Sequence, residues 1–592
     1  MKRITCYLII LSLLLPVAFL IQKRNTAAEA SPDIFQGDLI LTNDNVTTLT
    51  GYWEMNGSII IRDNATLVLN DAAVNFTQTF PKQFNLTLEE PNNGNPKLHA
   101  SNATLNSNHG LDVHLYGNST MDASRLTLNG DIHFYDMTSG EITNSNQLNI
   151  IDCYDASNIT VSGCDIASVN AHDASSVTLK DSVVGYLTDQ GEKTSSLTVS
   201  DCTVTNAFNS LGESQAYFEK SDISLSEIDS SSTITFSDCW LNGTQLRSSP
   251  TVTLTRQCII NGSLIVEENA TLILKDANLN VTQTKNFECA IAFKNPVDGN
   301  PHFQSTNSAV TSNFNYLLTL YQNASATLSD STFNAVPGKL GMLALQDAAR
   351  ASSDNLTAYG LSLMDNSSLT IFGSNIEDFD VHDSGNASVD NCKILTSSSS
   401  ENGTIILHAA TINTVQAYDG SIQRFSDSTI DWIYTRNTGA VWLTNSSYNN
   451  SLVRDQSNIF TYWYLNVHAI DSIQQDVPSA NVSIMYPNAT LAGSKMTNST
   501  GWASFMLITT VKNATGAYDT GNYSVAVTYG AYSNSSSVNM TGNQEITLTL
   551  EQLVIAEYPL FTFVLLLGTT ALLAVLVRRH EKHKLQLHLQ TM

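Results

Sequence analysis

Along most of this chain apolar and polar residues alternate with a period of two, in short runs that end in Asp, Asn or Gly plus a small residue. Ser157-Asn-Ile-Thr-Val-Ser-Gly-Cys164, Ser175-Ser-Val-Thr-Leu-Lys-Asp-Ser182, Ser195-Ser-Leu-Thr-Val-Ser-Asp-Cys202 and Thr251-Val-Thr-Leu-Thr-Arg-Gln-Cys258 follow one template. Where the template recurs along the chain, its spacing is about 17 to 20 residues, a solenoid spacing. Each run predicts one strand and one turn, and no helical period interrupts them. Val161 and Leu197 then point inward, Thr160 and Thr198 outward. Strands this short, stacked in parallel about 4.8 Å apart, build a coil whose inward residues form continuous ladders.

A longer repeat lies over the short one. Asn56-Gly57-Ser58-Ile59 returns as Asn261-Gly262-Ser263-Leu264, Asn64-Ala65-Thr66-Leu67 as Asn269-Ala270-Thr271-Leu272, and Gly94-Asn95-Pro96 as Gly299-Asn300-Pro301. The offset is about 205 residues, drifting to about 210 where His172-Asp173 matches His382-Asp383, as a small loop insertion produces. The solenoid is therefore duplicated, with a first copy over 31–250 and a second over 251–458. From 459 to 553 the pattern changes to Leu465-Asn-Val-His-Ala-Ile, Ala480-Asn-Val-Ser-Ile, Ala503-Ser-Phe-Met-Leu, Tyr523-Ser-Val-Ala-Val and Ile546-Thr-Leu-Thr-Leu. These predict an antiparallel β-sandwich.

Both ends carry targeting signals. Lys2 and Arg3 precede an apolar run from Ile4 to Ile21, and Ala28-Glu29-Ala30 offers a signal-peptidase site, which makes 1–30 a signal peptide and Ser31 the mature N-terminus. Gln22-Lys23-Arg24 after the run keeps an uncleaved anchor as the alternative. Tyr558 to Val577 is free of charge and, at roughly 20 residues, long enough to cross a bilayer, so 554–578 is expected to be a transmembrane helix. Arg578, Arg579, Lys582 and Lys584 make 579–592 a basic cytoplasmic tail and place the rest outside, as a single-pass type I membrane protein. Asn-x-Ser/Thr sequons, about 26 of them from Asn45 to Asn539, suit a glycosylated extracellular domain.

Composition narrows the function. The chain has 592 residues, with 28 Lys+Arg against 54 Asp+Glu and a formal charge of -26, which repels nucleic acid. No zinc-spaced Cys/His cluster, P-loop, dinucleotide fingerprint, GxSxG or HExxH stands in a suitable context, so no nucleotide and no required cofactor is expected. Cys164, Cys202, Cys239, Cys258 and Cys392 share one position of the template and read as a ladder of small buried side chains, with Cys239 and Cys258 as a disulfide candidate.

Over roughly Gly37 to Asn458 the repeats resemble the right-handed parallel β-helix proteins, the superfold shared by pectate lyases and many cell-surface repeat proteins. The resemblance implies an all-β fold and assigns no activity. Pro478-Ser-Ala-Asn-Val and Thr500-Gly-Trp-Ala-Ser-Phe look like carboxypeptidase-regulatory-like or prealbumin-like modules, which implies a stalk. Glu557-Tyr558-Pro559 with its basic end is similar to the anchors of archaeal surface proteins.

The candidate chemistry lies on outward columns. Asp152-Cys-Tyr154-Asp155, Asn170-Ala-His172-Asp173, Asp380-Val-His382-Asp383, Gln416-Ala-Tyr418-Asp419 and Tyr434-Thr-Arg436-Asn437 align so that the second residue points inward and its neighbours point out. Aromatic rings beside carboxylates and amides suit a glycan, which makes Asp152, Tyr154, Asn170, His172, Asp380, His382, Gln416 and Tyr418 candidate ligand contacts. Asp155, Asp173, Asp365 and Asp383 are candidate Ca²⁺ ligands, and Asp155 with Asp173 a candidate acid and nucleophile pair, against the plainer role of capping turns. Two readings result. The first is a structural or adhesive surface protein that binds cell-wall or partner-cell glycans. The second is a surface polysaccharide lyase or glycoside hydrolase, disfavoured because lyases of this superfold use basic residues to neutralise uronates and the outward columns offer only Arg436.

Overall fold

The computed structural model describes residues 33–90, 93–190, 195–295, 299–551, 553 and 560–589. The signal segment 1–30 and Ser31 lie outside them. The chain divides into two compact units, Met1–Trp240 and Leu241–Met592.

In the first unit the short alternating runs are strands that pair in parallel with the strands one coil away. Asn158–Ser162 pairs with Ser176–Lys180 so that Ile159 meets Val177 and Val161 meets Leu179. These four side chains are at most 1% exposed, while Thr160 and Thr198 face solvent. The next strand, Asp165–Ala171, pairs with Val183–Asp189. Here strict alternation fails: Ile166, Val169 and Ala171 are buried, so the inward phase slips by one residue near Ala167. The slip turns the strand through a corner, and one strand serves two faces of the coil. Between strands the backbone takes left-handed φ at Asp155 (56°), Asp173 (50°), Asp181 (48°) and Asp201 (52°). Asp and Asn tolerate that region better than other side chains, which explains why they end the runs.

The core is a set of ladders. Phe218 stacks on Phe236 at 4.9 Å between ring centroids, and Phe208 meets Phe218 edge to face at 4.7 Å. At the turn, cysteines alternate with serines: the Ser145 N–H donates to Cys164 Sγ (3.4 Å), the Cys164 N–H to Ser182 Oγ (3.2 Å), and the Cys202 N–H to Ser221 Oγ (3.2 Å). The small polar side chains thus satisfy buried N–H groups that the sheet ladder leaves over. Burial pushes the Cys202 thiol up to about 11, so it stays protonated and inert. Cys239 Sγ donates to the Phe218 and Ser237 carbonyls, and Cys258 Sγ, in the second unit, to the Thr255 carbonyl.

The second unit opens with coils of the same kind, such as Asn375–Val381 paired in parallel with Lys393–Ser399. The duplication extends to hydrogen bonds. Gln78, 3% exposed, donates to Ser107 and to the Gly110 carbonyl and accepts from the Phe84 N–H. Gln283, also 3% exposed, makes the corresponding bonds to Ser312, the Asn315 carbonyl and the Cys289 N–H. Asn108 and Asn313 clamp the backbone of these two glutamines in the same way. Each glutamine therefore fixes a loop, 77–84 in one copy and 282–289 in the other.

After the coils, Asn458–Asp471 pairs antiparallel with Trp502–Asn513, and Asn481–Met485, Leu491–Met496, Asn522–Tyr529 and Tyr532–Asn539 form a four-stranded antiparallel sheet. Leu465, Val467, Val482, Ile484, Phe505 and Val525 belong to one buried cluster that draws on both sets. The expected wholly antiparallel pairing is corrected at Gln544–Leu550, which runs parallel to Asn458–Asp471. A helix covers Leu560–Leu589. Among the described residues no helix is long and apolar enough to cross a membrane. The expected span starts at Tyr558, outside the described residues, and its described side chains from Val564 onward meet Arg578 and Arg579 directly after Val577.

Candidate functional site

In the first unit three outward columns run side by side over neighbouring coils. Strand pairing sets Asp112 beside Asp131 and His114 beside His133, then His133 beside Asp152 and Asp152 beside Asn170. The inward residues between them, Val113, Leu115, Ile132, Phe134, Cys153 and Ala171, are buried, so the outward groups stand on a packed floor. One step further along each strand come Tyr116, Tyr135, Tyr154 and His172. Their rings form a single stack, with centroids 4.8, 5.0 and 4.4 Å apart and interplanar angles of 8°, 5° and 8°. His114 and His133 stack beside it at 5.0 Å. Burial, with Tyr116 and Tyr154 alongside, pushes the Tyr135 hydroxyl up to about 12.

This geometry changes what the aromatic residues can do. Rings stacked on one another have spent their faces, so the ladder presents ring edges and hydroxyls. The neighbouring column offers an imidazole, a carboxylate and an amide already ordered by mutual contacts. His133 Nδ1 lies 2.9 Å from Asp152 Oδ2, and Asn170 Nδ2 donates to Asp152 Oδ1 at 2.7 Å. Lys82 reaches this face from the loop that Gln78 fixes, placing its Nζ 2.9 Å from Asp112 Oδ2 and 3.9 Å from Asp131 Oδ2. Asp112 and Asp152 are only 7% and 8% exposed, so both charges depend on these partners.

Two titrations on the face push the same way. Burial raises the Asp152 carboxyl, but contact with His133 and the bond from Asn170 outweigh it, and the net displacement is downward. Burial, then the His133 neighbour, lowers the His114 imidazole. Asp152 therefore contributes stability that is complete above the ordinary carboxylate value of 3.8 and is lost as pH falls through its depressed value. A lowered imidazole is neutral in the folded chain, so folding loses ground as pH falls below the ordinary 6.5. Protection factors for amide exchange over 130–134, corrected for the intrinsic slowing of exchange in acid, should fall as pH drops below 6.5 through the His114 effect and fall again below 3.8 as Asp152 takes up its proton. Protection unchanged below 6.5 would contradict the His114 assignment, and unchanged below 3.8 the Asp152 assignment.

Asp152, Tyr154, Asn170 and His172 are thus brought together as the outward columns predict. Asp380, His382, Gln416 and Tyr418 lie in the second unit, where Ser398 stands between Asp380 and Gln416. Their polar atoms are largely engaged locally: Ser398 Oγ donates to Asp380, His382 Nδ1 lies 2.7 Å from Ser400 Oγ, and the Tyr418 hydroxyl donates to Gln416 at 2.7 Å. The aspartates of the third column sit in the turns. Asp155 Oδ2 accepts the Asp136 N–H (3.2 Å), and Asp365 Oδ2 the Asp347 N–H (3.3 Å). Asp173 and Asp383 have left-handed φ of 50° and 54°, and Asp383 hydrogen-bonds Glu401, raising that carboxyl.

Sequence reasoning missed Lys82, Asp112, His114, Tyr116, Asp131, His133 and Tyr135. A signal was present: Asp112-Val-His-Leu-Tyr116 and Asp131-Ile-His-Phe-Tyr135 are one pattern used on successive coils. Arg436 is also not alone on its columns, since Arg454 continues from it on the next coil with its guanidinium 5.9 Å from the Tyr434 ring centroid.

No protein-family model matches the sequence, and no curated protein matches it. Among solved structures, the Bacillus anthracis TIE protein aligns with 17% of this chain and 19% of its own, at 15% identity and a TM-score of 0.13. The chain therefore spans about a fifth of that protein's length. A mutant tailspike protein of E. coli bacteriophage HK620, in complex with a hexasaccharide, aligns with 82% of this chain and 86% of its own, at 10% identity and a TM-score of 0.13. At that TM-score neither likeness carries an argument, and the functional reading rests on the side chains of this chain alone.

Proposed function

We propose that this chain is a membrane-anchored, glycosylated protein of the cell surface whose first unit binds carbohydrate without turning it over. The observation that carries the reading is the ladder of Tyr116, Tyr135, Tyr154 and His172, flanked by Asp152 and Asn170. Its spent ring faces leave hydroxyls, an imidazole and an ordered carboxylate–amide pair in rows, a set suited to sugar hydroxyls along an extended chain. The anchor reading draws on Leu566, Leu567, Leu572, Leu573 and Val575, each more than 60% exposed on the C-terminal helix, an apolar surface that water disfavours and lipid accepts. On this reading 459–553 is a sandwich stalk between anchor and coils, and the coils wind right-handed, as parallel β-crossovers do. A role for Asp155 and Asp173 in catalysis is disfavoured by their place in left-handed turns, with the Asp155 carboxylate on a backbone N–H.

The test is a triple variant, Tyr116→Phe, Tyr135→Phe and Tyr154→Phe, which keeps the stack and removes only the hydroxyls. Displayed on a glycan array, the parent chain should give a defined set of signals and the triple variant should lose them with an unchanged unfolding transition. A parent chain that binds no glycan, or a variant that binds as the parent does, would overturn the proposal.

A further inference from the structure

The internal duplication supplies a control for the charged cluster of the first unit. Lys82 corresponds to Phe287, with φ of 57° and 58°, on the two glutamine-fixed loops. Asp112 beside Asp131 corresponds to Leu317 beside Met342, and His114 beside His133 to Thr319 beside Ala344. The same coil thus folds with apolar groups where the first unit carries Lys82, Asp112, Asp131 and His133. The charges are not needed for the fold, and placing Asp112 in a 7% exposed position carries a desolvation cost that Leu317 does not.

We infer that Asp112, Asp131 and His133 form a divalent-metal site, in which the Lys82 ammonium stands in for the cation when no metal is bound. Three observations converge. One carboxylate oxygen from each aspartate and a ring nitrogen of His133 all lie within 4.8 Å of one another, so a single ion can reach all three. A cation already sits against both carboxylates, and it is tethered by a flexible stem that can swing out, since the Lys82 side chain is 61% exposed. Asp152, held in turn by Asn170, lies 2.9 Å from His133 Nδ1 and orients the imidazole, the outer partner that metal-bound histidines characteristically have. Two carboxylates and an imidazole suit a borderline first-row ion such as Zn²⁺ better than Ca²⁺, which takes oxygen donors. The inference does not depend on glycan binding and stands if that reading fails.

The test is isothermal titration of Zn²⁺ into the full chain in detergent. The parent should bind Zn²⁺, and an equal concentration of Ca²⁺ should not compete. Asp112→Asn with Asp131→Asn should abolish the site, and Asp152→Asn should weaken it about 10- to 100-fold. Lys82→Gln separates the inference from a purely structural ion pair: removing the tethered competitor should tighten Zn²⁺ binding, by about tenfold if the site is open a tenth of the time. The combined change Lys82→Phe, Asp112→Leu, Asp131→Met and His133→Ala, which writes the second copy into the first, should fold normally and bind no Zn²⁺. Unaltered Zn²⁺ affinity in Lys82→Gln, or binding that survives the double Asn or the fourfold change, would overturn it.

Discussion

Val161→Asp is expected to unfold the coils of the first unit, at a cost of more than about 4 kcal/mol. Val161 is fully buried between Ile142 and Leu179 in one inward ladder, all three at 0% exposure. An aspartate there has only apolar neighbours along its column, so the carboxylate must either lose its hydration unpaired or take up a proton at neutral pH. Thr160 is exposed on the adjacent position, and Thr160→Asp should change stability by no more than about 0.5 kcal/mol. Chemical denaturation of the two variants gives the comparison directly. Similar losses at both positions would show that the ladder is not the source of stability.

Gly130→Ala should have the next largest effect, about 3 kcal/mol, and it should damage the candidate site as well as the fold. A Cβ on Gly130 would stand 1.7 Å from the Leu111 carbonyl oxygen and 2.6 Å from its carbon, which are backbone atoms of the neighbouring coil. Neither can rotate away. Relief requires the strand Gly130–Phe134 to move, and that strand carries Asp131 and His133 and leads directly into Tyr135. Loss of the near-ultraviolet dichroism of the stacked tyrosines, together with a lower unfolding midpoint, is the expected signature. A variant with parental stability and dichroism would mean that the coils are looser at this point than their hydrogen bonds indicate.

Much of this was legible in the chain itself. The period-two alternation placed Val161 and Leu197 inside and Thr160 and Thr198 outside because burial acts on each side chain locally, and a strand leaves it only two directions to point. The recurrent Asp and Asn marked turns because few other side chains accept a left-handed backbone, and the repeat of Asn56-Gly57-Ser58 at Asn261-Gly262-Ser263 marked the duplication. The tertiary structure decided the rest. Lys82 is distant in sequence from Asp112 and Asp131, and only the loop fixed by Gln78 brings its ammonium to them. Whether Tyr154 offers a ring face or an edge depends on Tyr135 and His172 on the coils to either side. Such contacts follow from loop lengths and from the register between coils, and each depends on every turn before it. Alternation within a strand specifies which side chains point out, but which of them become neighbours is settled only when the coils stack.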